Sequence, residues 1–382
     1  MIKLMKNTFY NETLTKKRLC DFIINSSKLS MSQKCTEFEE KFSKYQGRKY
    51  SVLFNSGSSA NIATIQALLN LGLINKGDCV GFSALTWATN VMPIMQLGLE
   101  PVPVDISIES LNVNLKNLKE AKKKPKVMFI TNLLGFCGDL DKIRDYCENN
   151  KIILLEDNCE SLGSELNGTK LGNFGLASSF SFYVGHHLST IEGGMVCTDD
   201  KKLYEMLLMV RAHGWSRNIS KESQEELKLK NQINDFYDEY SFYYLGFNFR
   251  PTEITGFLGC EQLSYIEEIC KKRNDNFKKF EEAIKSVDVL KLNLKHMNFV
   301  CNFAYPIICK NKESFEKYRE IFANVEIRPI VGGNMTQQPF FKDNFDCPNA
   351  KMVHEFGFYI PNNPDLTEEE VLELCRLIKS IS

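Results

Sequence analysis

The chain has 382 residues, more than one ordinary domain holds, so one large domain with a smaller companion or two of similar size is expected. Hydrophobic residues make up 43% and charged residues 25%, with only 22 Gly and 11 Pro, which excludes a disordered or low-complexity chain. Lys plus Arg total 47 against 48 Asp plus Glu, and this net charge of -1 without a basic stripe excludes a nucleic-acid partner.

The opening run MIKLMKNTFYNETLTKKRL is interrupted by polar residues, and no apolar stretch approaches the roughly 18 residues of a span. A cytoplasmic chain with no membrane partner is expected. Tyr50–Asn55 reads as a strand, Ser59–Leu73 as a helix, and Cys79–Phe82 and Pro101–Ile106 as strands. The basic run Lys122–Lys124 with Lys126 reads as a solvated turn before the next strand, Lys126–Asn132. A helix over Asp139–Asn149 and a buried strand over Lys151–Glu156 follow. Ser178–Tyr183 and Met195–Thr198 lie too close for a crossover helix, so this pair is predicted antiparallel and the otherwise parallel sheet mixed. Ile219–Tyr243 is polar and acidic, an exposed connection or helix. After Arg250-Pro251 come a long helical stretch to about Ser286, the strand-like VCNFAYPIIC and a final helix, Glu368–Ile381. The expected division is a large domain over 1–254, including an N-terminal helical segment, and a smaller C-terminal α+β domain over 255–382.

Thirteen Cys are scattered singly, and no two stand within four residues of each other. Reduced thiols are expected, and neither a zinc nor an iron–sulfur site is.

Four segments combine unusual residues with useful places on such a scaffold. Asn55-Ser56-Gly57-Ser58-Ser59-Ala60-Asn61 leaves a strand and opens a helix, so its free N–H groups and hydroxyls either cradle a phosphate or cap the helix. Leu155-Glu156-Asp157-Asn158-Cys159-Glu160 places carboxylates at the end of a buried strand, where ligands of parallel sheets sit; Asp157 serves there or caps the next element. In the run Phe180-Ser181 through Gly193-Gly194, His186 and His187 stand together between two strands. One of them is a candidate base near neutral pH, the other reading being surface or supporting residues. The fourth segment is Gly246-Phe247-Asn248-Phe249-Arg250-Pro251-Thr252-Glu253.

In order, spacing and content these segments resemble the sugar aminotransferase branch of the fold type I pyridoxal-phosphate enzymes, the DegT/DnrJ/EryC1/StrS family, over about residues 30 to 380. The resemblance implies an aspartate-aminotransferase-like α/β fold and a homodimer. It implies that Gly57, Ser58 and Ser181 hold the cofactor phosphate, that Asn248 reaches it from the neighbouring subunit, and that Trp87 stacks on the pyridine ring. Asp157 would pair with the ring nitrogen, keeping it protonated. Glu160 stands where relatives commonly carry Gln and would orient either the cofactor 3-hydroxyl or the ring.

The departure from the family lies at His186. Counting from Ser181-Phe182, relatives carry at this position the lysine that joins the cofactor covalently, and an imidazole cannot do so. The cofactor, pyridoxal 5'-phosphate or pyridoxamine 5'-phosphate, is then bound noncovalently. The His, with HHLSTIEGGMV around it, is similar to the lysine-less sugar 3-dehydratases of the family, those acting on GDP-4-keto-6-deoxymannose above all. This implies a lyase that removes the 3-hydroxyl of a nucleotide-linked 4-keto sugar in deoxysugar or lipopolysaccharide biosynthesis. Glutamate would regenerate the amine form. Arg250 is the candidate for the glutamate carboxylate, or forms an inter-subunit ion pair; His213 lines the sugar pocket or ends a helix. The competing readings are an ordinary sugar aminotransferase, for which Lys170 and Lys201 stand in the wrong places, an iron–sulfur-dependent dehydrase, and a non-catalytic cofactor binder.

Overall fold

The structure is a computed structural model and describes residues 1–343 and 345–380. Its centre is a seven-stranded sheet. In chain order the strands are β1 (Tyr50–Phe54), β2 (Cys79–Ser83), β3 (Glu100–Val104), β4 (Val127–Thr131) and β5 (Ile153–Asp157). After a two-stranded hairpin, β6 (Glu165–Leu166) and β7 (Thr169–Lys170), come β8 (Ala177–Ser181) and β9 (Gly194–Thr198). The spatial order is β1-β9-β8-β5-β4-β2-β3. From β3 to β8 every pairing is parallel, whereas β9 runs antiparallel to β8 and to β1, as the short β8–β9 connection requires. β4 is buried at all five positions, the signature of a parallel strand covered on both faces.

The first crossover helix, Gly57–Asn70, begins two residues before the predicted start because the Ser56 hydroxyl accepts the Ser59 N–H at 3.0 Å. The long C-terminal helical stretch is two helices, Glu253–Leu263 and Ile266–Ile284, with an interruption at Ser264-Tyr265. Different packing separates them. The first lies against helix Gln33–Gln46 at Gly256 and Gly259, where a Cβ would come within 2.4 Å of the Lys34 carbonyl carbon and 2.3 Å of the Phe38 ring. The second buries Phe277 and Phe280 against Tyr305. Glu253, from the fourth motif, is a helix cap: its carboxylate accepts the N–H groups of Ser32, Lys34 and Cys35 at 2.7 to 3.1 Å.

Three further strands, β11 (Ala304–Ile308), β13 (Gly357–Pro361) and β12 (Arg328–Pro329), form an antiparallel sheet in that order, while β10 (Met297–Phe299) pairs with β6. β11 is buried at every position. One core cluster runs from Ile130, Leu133 and Phe136 to Phe280, Tyr305, Phe358 and Ile378, fixing this second sheet beside the carboxyl ends of β4 and β5. The exposed connection holds helix Lys221–Lys230 and one turn, Asp235–Asp238, neither with a buried residue. The final helix is Glu368–Lys379; its predicted end, Ile381, lies outside the described residues. All thirteen cysteines are free. Among the described residues no helix is long and apolar enough to cross a membrane, and no His/Cys/Asp/Glu group could hold a metal ion.

Candidate active site

A cavity of about 530 Å³ opens beyond the carboxyl ends of β4, β5 and β8, the edge where doubly wound sheets place their ligands. Strand alternation sorts the three acids around β5. Glu156 and Asp157 are consecutive, so they face opposite sides of the sheet. Glu156 turns away and accepts the N–H groups of Gly172, Phe174 and Gly175 at 2.7 to 2.8 Å, holding that turn in place. Asp157 turns into the cavity.

The Asp157 carboxylate is 4% exposed and accepts three hydrogen bonds: from Asn61 Nδ2 at 2.9 Å, Asn90 Nδ2 at 2.7 Å and the Cys159 N–H at 2.9 Å. The Thr86 hydroxyl donates to Asn90 Oδ1 at 2.9 Å, which fixes the amide so that its nitrogen points at the acid. No Lys or Arg pairs with this carboxylate among the described residues. Oδ1 closes a local turn by accepting the Cys159 N–H, the capping role, while the residue also lines the cavity. Asn61 stands inside the first motif and Asn90 three residues after Trp87, but nothing in their spacing marks them as donors to an acid 96 and 67 residues away.

Glu160 also lines the cavity and is 9% exposed, yet it accepts only the Leu134 N–H, at 3.0 Å. Burial pushes its carboxyl up to about 8, reinforced by the nearby Asp157 charge. The native protein therefore holds a proton on Glu160 that the unfolded chain releases near pH 4.5, so this group's stability contribution is lost as pH rises toward 8. Glu160→Gln should remove this slope, of at most about 1.4 kcal/mol per pH unit, between pH 6.5 and 8. Urea unfolding at several pH values checks it; parallel curves for both proteins would refute the assignment.

The two histidines part company. His187 is buried and donates from Nε2 to the Cys301 carbonyl at 2.9 Å, pinning the β8–β9 loop from beneath. His186 lines the cavity and sets Nδ1 3.3 Å from the Ser181 carbonyl, which can only accept, so Nδ1 carries the proton and Nε2 keeps its lone pair. Burial pushes the imidazole down to about 4, against the opposing pull of the Ser181 carbonyl and Asp157. Among the described residues no lysine lines the cavity. Lys170 donates to the Tyr45 carbonyl at 2.7 Å and lies over that ring, and Lys201 sits on a surface helix beside Glu205.

Gly57 and Ser58 open helix Gly57–Asn70 at the cavity wall, and their N–H groups make no hydrogen bond within the chain among the described residues. Gly57 has no room for a side chain, because a Cβ there would stand 2.6 Å from Ser181 Cβ. Gly57→Ala should destabilise the protein by about 1–3 kcal/mol and displace Ser181. A lowered thermal midpoint with weakened phosphate binding checks this; an unchanged midpoint would contradict it. Trp87, 55% exposed, presents its ring to the same cavity.

Seven of the ten residues singled out from the chain therefore meet here: Gly57, Ser58, Trp87, Asp157, Glu160, Ser181 and His186. Asn248, Arg250 and His213 do not line it. Asn248 and Arg250 are exposed and joined by an Nε–H···Oδ1 bond of 3.0 Å, beside Asn55, whose N–H donates to the Phe249 carbonyl. His213 follows helix Lys201–Arg211 with φ 61° and packs edge-on against Trp215. The second sheet and its approaches add Phe303, Arg328, Val331 and Tyr359 to the cavity wall, and the β8–β9 loop adds Tyr183 and Glu192, which stand inside the third motif but have no role assigned there.

The sequence and the fold both have known counterparts. The chain is 34% identical over 370 residues to GDP-4-keto-6-deoxy-D-mannose 3-dehydratase of Yersinia pseudotuberculosis, covering 94% of this chain and 93% of that one. It superposes with a TM-score of 0.89 and 31% identity on a solved GDP-4-keto-6-deoxymannose 3-dehydratase variant with bound GDP-perosamine, covering 99% and 100% of the two chains. The same values hold for that dehydratase with a trapped PLP–glutamate geminal diamine. Residues 12–379 match the DegT/DnrJ/EryC1/StrS aminotransferase family, and the chain belongs to it.

Proposed function

We propose that the protein is a pyridoxal/pyridoxamine phosphate-dependent lyase that removes the 3-hydroxyl of a GDP-linked 4-keto-6-deoxy sugar, with glutamate restoring the amine form, in deoxysugar or lipopolysaccharide biosynthesis. The observation that carries the reading is an imidazole on the wall of the cavity and, among the described residues, no primary amine there.

The residues present fit the cofactor. The unpartnered N–H groups of Gly57 and Ser58, with the Ser181 hydroxyl beside them, suit a phosphate at a helix N-terminus. Asp157, a buried carboxylate without a cation, suits a protonated ring nitrogen, and the Trp87 ring suits stacking over a flat heterocycle. When bound, the cofactor supplies an electron sink for charge developing on its partner carbon. His186 supplies the proton traffic: with Nδ1 tied to the Ser181 carbonyl, Nε2 is the atom that accepts a proton and delivers it to a departing hydroxyl oxygen. An imidazole whose protonated form is disfavoured by burial is a strong acid once charged, which suits expulsion of a poor leaving group. Without a lysine amine, no side chain here competes to hold the cofactor covalently.

We place the enzyme in the cytoplasm as a homodimer in which the exposed Asn248 and Arg250 reach toward the second copy's cavity, Asn248 toward its phosphate. The reading is tested by incubating the protein with glutamate, pyridoxal phosphate and GDP-4-keto-6-deoxymannose. Mass spectrometry should find a keto product lighter by one water; a product bearing a new amino group would overturn it.

A further inference from the structure

Two cores are joined across one short segment. Ile330 packs in the cluster of the second sheet, and Met335 packs in the cluster around β1 and β2. The stretch between them is Val331-Gly332-Gly333-Asn334, whose first residue lines the cavity. Resting on the cofactor reading proposed above, we propose that Gly332 is a positioning residue for Trp87. By carrying no side chain it lets the segment seat on the Thr86–Trp87 peptide, which sets the plane of the indole that stacks on the cofactor ring.

The contact is largely backbone on backbone. Asn334 pairs with Leu85 in an antiparallel bridge just beyond the end of β2, and the Met335 N–H donates to the Ala84 carbonyl at 2.9 Å. The Thr86 N–H donates to the Gly333 carbonyl at 3.3 Å. Gly332 then meets the Thr86 carbonyl, which belongs to the same peptide as the Trp87 N–H. A Cβ on Gly332 would stand 2.6 Å from that oxygen, 2.9 Å from Met335 Cε and 3.3 Å from Cε3 of the Trp87 ring. The methionine methyl can swing aside, but the carbonyl cannot. Thr86 is buried, and its hydroxyl donates to Asn90 Oδ1 at 2.9 Å and meets the Thr131 hydroxyl at 2.6 Å. A side chain at residue 332 therefore turns the Thr86–Trp87 peptide or lifts the segment away, and either change moves the indole. Trp87 is 55% exposed, so packing around its ring does little to resist this.

The segment is also held in a conformation that costs energy. Val331 has φ 48°, left-handed for a β-branched residue, and strain of that kind persists only where the surroundings impose it. The Gln338 amide donates to the Gly332 carbonyl at 2.9 Å, which keeps the residue in its seat.

The test uses the full-length protein. The chain has two tryptophans, Trp87 and Trp215, and Trp215 does not line the cavity. Labelling with fluorotryptophan thus gives two fluorine NMR resonances, assigned with Trp215→Phe. Without cofactor, Gly332→Ala should shift the Trp87 resonance and leave that of Trp215 in place, which also reports that the variant is folded. Pyridoxal phosphate affinity, titrated by absorbance, should fall about 3- to 10-fold, as loss of an aligned aromatic pair does. In a Trp87→Ala background the same change should weaken affinity by less than about twofold, because residues acting through one contact are not additive. Gln338→Ala frees the Gly332 carbonyl without adding an atom and should move the Trp87 resonance by less; it carries the test if Gly332→Ala does not fold. An unmoved Trp87 resonance in the folded variants would overturn the proposal, as would equal losses of affinity in the two backgrounds. If pyridoxal phosphate leaves the native Trp87 resonance in place, the stacking reading is rejected, while the cofactor-free spectra still decide whether Gly332 positions the ring.

Discussion

Replacing His186 by Asn should lower dehydration by about 10²- to 10⁴-fold, the usual contribution of a positioned acid–base group, while leaving the protein folded. The amide retains a group able to donate to the Ser181 carbonyl but has no atom that accepts and returns a proton at neutral pH. Single-turnover water loss, measured with protein preloaded with pyridoxamine phosphate, isolates this step. Turnover within a few-fold of native would remove His186 from the chemistry. The companion change, His186→Lys, restores a primary amine at the position where relatives carry one. It should tether the cofactor covalently and suppress water loss.

Asp157→Asn should weaken cofactor binding by about 10²- to 10⁴-fold, because removing one partner of a buried charge pair costs about 3–5 kcal/mol. The empty protein should lose a smaller amount, about 1–3 kcal/mol. Asn61 and Asn90 both donate to Oδ2, so an amide oxygen there satisfies them, but its nitrogen then confronts the Cys159 N–H that Oδ1 now receives. Absorbance titration of pyridoxal phosphate and thermal unfolding of the cofactor-free protein separate the two costs. Equal affinity for native and variant protein would show that the acid does not face the ring nitrogen.

The parts of this site visible in the chain are those fixed by local periodicity. A buried strand ending in carboxylates marks the ligand edge of a parallel sheet, but alternation along β5 says only that Glu156 and Asp157 face opposite sides; which of them meets the cavity comes from the packing of the 172–175 turn against Glu156. The small-residue turn at Gly57 is legible for the same reason, since it joins a strand to a helix. The division of labour between His186 and His187 is not local: it depends on a carbonyl at Cys301, 114 residues beyond His187. Arg328 is hidden because a two-residue edge strand leaves almost no pattern, and its position follows from pairing with β13. The interruption at Ser264-Tyr265 is hidden because helical periodicity is compatible with either a continuous or a broken helix there, and the two halves pack on different partners. Asn248 and Arg250 lie outside the cavity of the single chain, so their expected roles depend on a second copy.

Borohydride reduction of the native protein loaded with pyridoxal phosphate, followed by intact and peptide mass measurement, addresses the lysine-free cavity directly. The protein mass should remain that of the bare chain, with His186→Lys treated alongside gaining one reduced cofactor at residue 186. Fixation of the cofactor to any native lysine would contradict the account.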